Sequence, residues 1–472
     1  MTIGRPAHQP STTSNDGTVA VARHIAAAAE RELPAPTVAA AKRAVLDAFV
    51  AMISGSRLEA GRLARRYVAS YGSRGEASLV GDGGLVRPEL AALANAMSAH
   101  ADETDDVHDL ARMHPGASIV PAALALAETE ARSGRDLLRA VVLGYDVGCA
   151  VSVAAWGSLE AMQKSYRSPH SLAQPFGAAA AAASLAGLSH DQVVHVLAYA
   201  ADQASGFTSF YRDERHLEKA FSSAGMQAHS GVRAVELVRH GFTAVDDVLD
   251  GTPSVFDVFG AGGSAAAMVD ALAGQHYVEL TDLKRYPVGM PIQAAAEATE
   301  YLLAERPFGP ADVVALTCRL PPHGARIVDG RHMPDIHLQY VLAVIVADGG
   351  LTFESAHDYA RRRGADISAL MERIELLPDP GLDGVIDGHL SSRRAVVEVR
   401  LRDGTRLERR VTAARGSRLR PLDWDEVCAK ARRVLGGGIG PDAVDALCAA
   451  VAGLEQVADV RQLRPVLTPA PR

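Results

Sequence analysis

Five acids and three histidines crowd into residues 100–114: Asp102, Glu103, Asp105, Asp106 and Asp109 with His100, His108 and His114, the last opening His114-Pro115-Gly116. An Asp beside a His holds the imidazole in one tautomer and tunes its pKa toward neutrality, so the run has the composition of an acid–base site. A solvated loop with incidental histidines has the same composition. Several Asp and His in one loop do not by themselves set a coordination geometry, and the expectation is that no metal is held.

Three further clusters carry charge. Lys164, Tyr166, Arg167, Ser168 and His170 stand just before the Ala-rich run 176–188, where the amides of a helix N-terminus would help two cations seat a carboxylate. A polar surface loop is the equal alternative. In residues 211–221, Arg212, Arg215 or His216, and Lys219 share a side if the segment is helical, although such charge runs are usually solvated helix faces. In residues 284–293, Lys284 and Arg285 precede Pro287, Pro291 and Gln293, a bent segment suited to a domain junction, where ligand clefts form, or to an ordinary turn.

The elements that must position these residues follow from periodicity. Val38, Ala41, Val45, Phe49 and Ile53 fall at helical steps, and Gly55 supplies a stop. Ser133 with Asp136, Ser189 with Gln192 and Thr243 with Asp246 have the spacing of helix-opening capping boxes or a close variant. After the Gly-rich stretch 260–263 the pattern changes, with strand-like runs at 276–280, 313–320, 374–377, 395–401 and 405–412, the last two joined through Asp403-Gly404 as a hairpin. Helical runs lie at 293–305 and 338–346, and beyond 415 at 424–435, with Asp423 as N-cap, and 441–453. The expected fold is mainly α: a flexible tail (1–16), a large all-α domain (17–272) completed by C-terminal helices (415–472), and an inserted smaller α+β lid domain (273–414).

Composition removes several function classes. With 472 residues and a formal charge of −8 there is no basic footprint for nucleic acid, and an anionic substrate would need a local cluster of cations. The four cysteines lack the spacing of a zinc, CxxC or iron–sulfur motif and suit a reducing cytoplasm. The apolar run 176–188 is short of the ~20 residues that cross a bilayer, so no membrane role is expected.

Taken in order, the clusters resemble the MmgE/PrpD family, which includes 2-methylcitrate dehydratases, cis-aconitate decarboxylases and iminodisuccinate epimerases. The similarity runs from about residue 25 to 467. It rests on Ala101-Asp102 through Asp106, on His114-Pro115-Gly116 and on the apolar run opened by Pro121. Gly144-Tyr145-Asp146-Val147-Gly148, Phe176-Gly177, the run from Gly225 to Gly241-Phe242-Thr243, and Arg420-Pro421-Leu422-Asp423 extend it. The resemblance implies an all-α domain with an α+β lid, a cleft between them, a homodimer and no cofactor. It implies Asp102, His114, Lys219 and His170 as catalytic residues, with Tyr166, Arg167, Ser168, Arg212, Lys284 and Gln293 around the substrate. Gln293 stands where members often carry a lid histidine, and Ser168 stands where members usually carry the His that His170 is assigned to supply. The expected activity is a hydro-lyase on a di- or tricarboxylate such as 2-methylcitrate. Epimerisation, decarboxylation and a catalytically silent carboxylate-binding paralogue stay open.

Overall fold

The computed structural model describes residues 16–156, 159–259, 262–384 and 393–470. Of the expected tail, residues 1–15 lie outside the described residues, as do 260 and 261 of the Gly-rich stretch, while Asp16 already opens a helix, Asp16–Ala26. The chain is mostly helical with small sheets.

The helical periodicity around Val45 becomes the helix Ala35–Gly55, whose Ala41, Val45, Phe49 and Ile53 are buried. Both sides of the capping box form at Ser133/Asp136 and Ser189/Gln192, opening helices Gly134–Ala155 and His190–Gln203. Gly134–Ala155 is long and apolar enough to cross a bilayer by composition, but its side chains are mostly buried in the core. Thr243/Asp246 opens no helix. There the backbone is claimed from elsewhere: Ala244 N–H donates to His195 Nδ1 (3.3 Å) and Leu249 N–H to Thr18 Oγ1 (3.1 Å), so the amides a helix would use are already engaged.

Small residues set how closely the helices approach. Gly134–Ala155 crosses Pro169–Ala186 at Gly144 and Gly177, where a Cβ on Gly177 would sit 2.6 Å from the Gly144 carbonyl oxygen. Any side chain at that crossing would push the two helices apart.

Side chains from residues 21–283 and 422–467, with Phe353, share one hydrophobic core, and the other core residues of 286–414 form another. The second core packs helices Gln293–Glu305 and Leu338–Asp348 on a four-stranded sheet. Its strand order is Ile374–Pro378, Val313–Leu320, Ala395–Leu401, Arg406–Val411; the first pairing is parallel and the other two antiparallel. The hairpin register pairs Val396 with Arg410 and Arg400 with Arg406 around Asp403-Gly404. Residues 276–280, expected as a strand, instead contain the 3₁₀ turn Tyr277–Leu280. Asp146 decides this: it accepts from Tyr277 N–H (2.8 Å) and lies 2.7 Å from His276 Nδ1, tying the backbone to a helix rather than to a ladder.

Candidate functional site

Helix Pro88–Ala99 ends at His100 and helix Pro115–Thr129 begins after His114, so the acid- and histidine-rich run is the connection between two buried helices. It is buried along most of its length and pinned at both ends of its hairpin-like tip. Val107 exchanges backbone hydrogen bonds with Asp282 (2.9 and 2.8 Å), and His108 N–H donates to the Met113 carbonyl (2.9 Å). Asp106 faces inward, accepting from Tyr145 Oη (2.6 Å) and Gly116 N–H (3.0 Å). Burial, with the Asp47 and Asp105 charges, pushes its pKa up to about 8 against the Tyr145 hydrogen bond. Gly116 has a steric reason to be glycine, since its Cβ would lie 2.7 Å from the Tyr145 hydroxyl and 3.0 Å from the Asp106 carboxylate.

Inside this frame lies a charge cluster. Asp105 receives His100 Nδ1 at 2.6 Å and His114 Nδ1 at 3.3 Å on one oxygen, and the Lys284 ammonium at 3.2 Å on the other. Lys284 also reaches Glu103 Oε2 (3.0 Å), and Lys219 closes the group through Glu103 Oε1. Burial alone would raise the Glu103 pKa, but the Lys219 and Lys284 ammoniums hold it well below the usual carboxylate range. Burial opposes the charge on Asp105 likewise and is overcome by His114, His100 and Lys284.

His114, His170 and His216 are kept neutral. Burial lowers the His114 pKa to about 4, although Asp105 pulls the other way. His170, stacked on His114 at 5.2 Å and 19°, is driven well down by burial and by the His114 and His100 rings; His216 is driven down by burial and by Lys219. Hydrogen-bond partners fix the tautomers. His114 Nδ1 lies 2.6 Å from the Asp106 carbonyl oxygen and must carry the proton there, which leaves the lone pair on Nε2. His170 Nδ1 accepts from the His114 backbone N–H (3.3 Å), so its Nε2 carries the proton.

A cavity of about 600 Å³ opens beside this cluster, within the range of roughly 300–1,000 Å³ common to small-molecule sites. Its walls come from both cores: residues 103–114, 162–170 and 208–219 on one side, and 289–291 and 323–336 on the other. His114, His170, Lys219, Arg167 and Tyr166 line it. Tyr166 is 73% exposed, and Arg167 donates to the Val258 carbonyl with its guanidinium 5.1 Å over the Phe259 ring, which places both at the rim.

The other expected site residues are placed elsewhere. Asp102 turns away from the cavity, accepting from Thr104 N–H and Oγ1 (both 2.8 Å), with His357 Nε2 at 3.5 Å; its neighbour Glu103 is the carboxylate on the wall. Ser168 is buried and serves as the N-cap of helix Pro169–Ala186. Lys284 is fully covered and meets Glu103 and Asp105 rather than the cavity. Gln293 is consumed by backbone: its Oε1 accepts from Arg285 and Tyr286 N–H (both 3.1 Å) and its Nε2 donates to the Tyr286 and Val288 carbonyls (2.9 and 2.8 Å). The cations of 211–221 do not share a helix face. A 3₁₀ turn, Thr208–Arg212, breaks before the short helix Leu217–Ala220; Arg212 is exposed, and His216, at φ 59°, turns into the cluster.

Sequence reasoning missed His357 and Asp335, which approach Asp102 from the second core, because nothing local marks them. It also passed over Arg112 and Glu103, whose signal was nearness in sequence to His114 and Asp102. His100, Asp105 and His114 come close enough to be weighed as metal ligands. Their ring nitrogens face one carboxylate oxygen at hydrogen-bonding distance and Lys284 already supplies the positive charge, so the donor set fits an ion-pair network better than a coordination sphere.

Comparison with known proteins agrees with this architecture. The MmgE/PrpD N-terminal domain matches residues 19–267 and the MmgE/PrpD C-terminal domain residues 286–456. The cis-aconitate decarboxylase of Homo sapiens is 27% identical over 449 residues, covering 90% of this chain and 89% of that protein. The cis-aconitate decarboxylase-like protein oryM of Aspergillus oryzae is 28% identical over 228 residues, 46% of each chain. The cis-aconitate decarboxylase of Aspergillus terreus is 25% identical over 217 residues, 43% of this chain and 44% of that one. With both halves matched in order, the chain belongs to the MmgE/PrpD family.

Proposed function

We propose that this chain is a metal-independent lyase acting on a small di- or tricarboxylate by moving a proton at carbon next to a carboxylate. The observation that carries the reading is one cavity wall bearing two neutral histidines of opposite polarity beside an ammonium: His114 with a free Nε2 lone pair, His170 with an Nε2–H, and Lys219. Lys219 and His170 would hold the carboxylate and stabilise the charge that builds on it as the α-proton leaves. His114 Nε2 would take that proton and return it. Glu103, Asp105 and Lys284 position these groups.

Two outcomes share that first arrangement. In dehydration the returned proton goes to a departing hydroxyl, as with 2-methylcitrate. In decarboxylation of an unsaturated acid there is no α-proton to take: the Lys219 ammonium on the cavity wall would give its proton to the far alkene carbon and regain one from solvent. The bonding pair of the leaving carboxylate becomes the new double bond, and CO₂ departs. Similarity to the human cis-aconitate decarboxylase over nearly the whole chain favours decarboxylation. In this reading the 286–414 part acts as a lid over the cavity, and the working form is a cytoplasmic homodimer, which light scattering of the purified protein checks.

The test is proton NMR in D₂O with cis-aconitate, 2-methylcitrate and citrate offered separately, together with CO₂ measurement. New alkene signals with CO₂ support decarboxylation, and alkene without CO₂ supports dehydration. Deuterium washing into unchanged substrate would mean an epimerase. Absence of turnover with every acid, and no melting shift with any, overturns the reading.

A further inference from the structure

Beyond the histidine cluster, the same cavity carries positive charge that none of the steps above employs. Arg112 stands on its wall at the end of the 108–113 turn, with a backbone φ of 55°, a left-handed conformation unusual for a side chain of this size. The turn is held by its neighbours: Ser152 Oγ donates to the Ala111 carbonyl (2.6 Å), Ala111 N–H donates to His108 Nδ1 (3.1 Å), and Asp109 Oδ1 lies 2.8 Å from Arg393 Nη1. The backbone under Arg112 is therefore fixed. No hydrogen-bond acceptor for its guanidinium, or for that of Arg326, is found among the described residues.

Arg326 reaches the cavity from the facing helix, Pro322–Val328, with His323 one turn earlier. Burial first, then the charges of Arg112 and Arg326, lower the His323 pKa, while Asp383 opposes them; both guanidiniums line the same cavity, one from each wall. Asp109 is the acid beside Arg112, but it is shared with Arg393. Between this group and the histidines runs a line of rings, His170 to Phe210 at 6.4 Å and Phe210 to Tyr211 at 4.8 Å. Met113, Met290 and Ile336 add uncharged wall.

We infer that Arg112 and Arg326 form a distal carboxylate subsite. The substrate is then an acid with at least two carboxylates: one held at Lys219 and His170 where the proton moves, the other at Arg112 and Arg326, with its uncharged middle along Phe210 and Met290. This rests on the carboxylate reading above and names which end of the cavity selects for a second anionic group. Two guanidiniums from opposite walls suit a planar, bidentate acceptor and also draw the walls together when it binds.

The test compares a monoanion with a trianion that cannot turn over by the proposed decarboxylation. Butyrate and tricarballylate are titrated calorimetrically into wild type, Arg112→Met, Arg112→Lys and Arg326→Met. Wild type should prefer tricarballylate, and Arg112→Met and Arg326→Met should each weaken it by about tenfold or more, the size of a lost charge-assisted hydrogen bond, while butyrate changes less than about twofold. Arg112→Lys should recover part of the loss. Arg326 is exposed, so its substitution tests the subsite without disturbing the core. Equal weakening of both probes, or none of tricarballylate, overturns the distal subsite and leaves the carboxylate reading standing. Failure of wild type to bind either probe overturns both.

Discussion

In the proposed reaction His114 accepts a proton although it is buried among charges, and its surroundings say how. The Asp106 carbonyl takes the Nδ1 proton, and burial holds the ring neutral down to about pH 4. A required base in that state gives a kcat/KM profile whose acid limb falls near pH 4; a limb centred at 6.5 would mean that His114 is solvated and ordinary. His114→Ala should lower kcat by about 10²–10⁴ with the melting temperature little changed. The same lowered pKa has a stability consequence. Above pH 6.5 neither state is protonated, but between about 6.5 and 4 the unfolded chain takes up a proton that the folded ring refuses, so stability falls as pH falls through that window. His170 and His216 act in the same direction. Glu103 is the converse case, a carboxylate kept charged by two ammoniums. Glu103→Gln should destabilise by roughly 3 kcal/mol in denaturant titration, because it leaves Lys219 and the buried Lys284 short of a counter-charge.

At the scale of elements, the site depends on helices that approach closely and on turns held by side chains. The crossing of Gly134–Ala155 with Pro169–Ala186 sets where Tyr145 meets Asp106 and where His170 meets His114, since the first helix carries Tyr145 and the second His170. Gly177→Ala would force a methyl against the Gly144 carbonyl. A loss of about 1–3 kcal/mol should follow, together with reduced activity as the His170 end of the helix is displaced. Gln293 belongs to this scale rather than to the chemistry. Four hydrogen bonds make it the clamp of the 285–288 bend, which brings Lys284 under Glu103. Gln293→Leu strands two N–H groups and the Val288 carbonyl, while the Tyr286 carbonyl keeps Val288 N–H, so a drop of about 2 kcal/mol or more is expected in thermal melts. A variant that stayed as stable as wild type while losing substrate affinity would restore Gln293 to the substrate's side.

For the whole molecule, the decisive feature is that two hydrophobic cores meet across the cavity, with Phe353 packed into the first and charged contacts tying the walls. Arg393 lies 2.8 Å from Asp109 and donates to Asp282 at 2.7 Å, Arg331 donates to the Tyr211 carbonyl at 3.2 Å, and His357 reaches Asp102. Arg393→Met removes the cation paired with the buried Asp282 and one of those beside Asp109. It should cost roughly 3–5 kcal/mol, and the loss should shrink as pH falls and those acids protonate, which melting curves at neutral and acidic pH would show. Much of this molecule was legible in the sequence. The periodicity from 38 to 53, the Ser133 and Ser189 capping boxes, the Asp403-Gly404 hairpin and the acid- and histidine-rich run ending at His114-Pro115-Gly116 are local signals, set by covalent geometry and side-chain pattern over a few residues. What stayed hidden is decided by partners distant in sequence. Thr243/Asp246 loses its helix to His195 and Thr18, residues 276–280 lose their strand to Asp146, and Glu103 rather than Asp102 faces the cavity because Lys219 and Lys284 draw it there while Thr104 and His357 hold its neighbour. Local pattern determines which elements form and which residue types are to hand; only tertiary structure decides which of two adjacent carboxylates is the one a substrate would meet, because that depends on charges delivered from more than a hundred residues away.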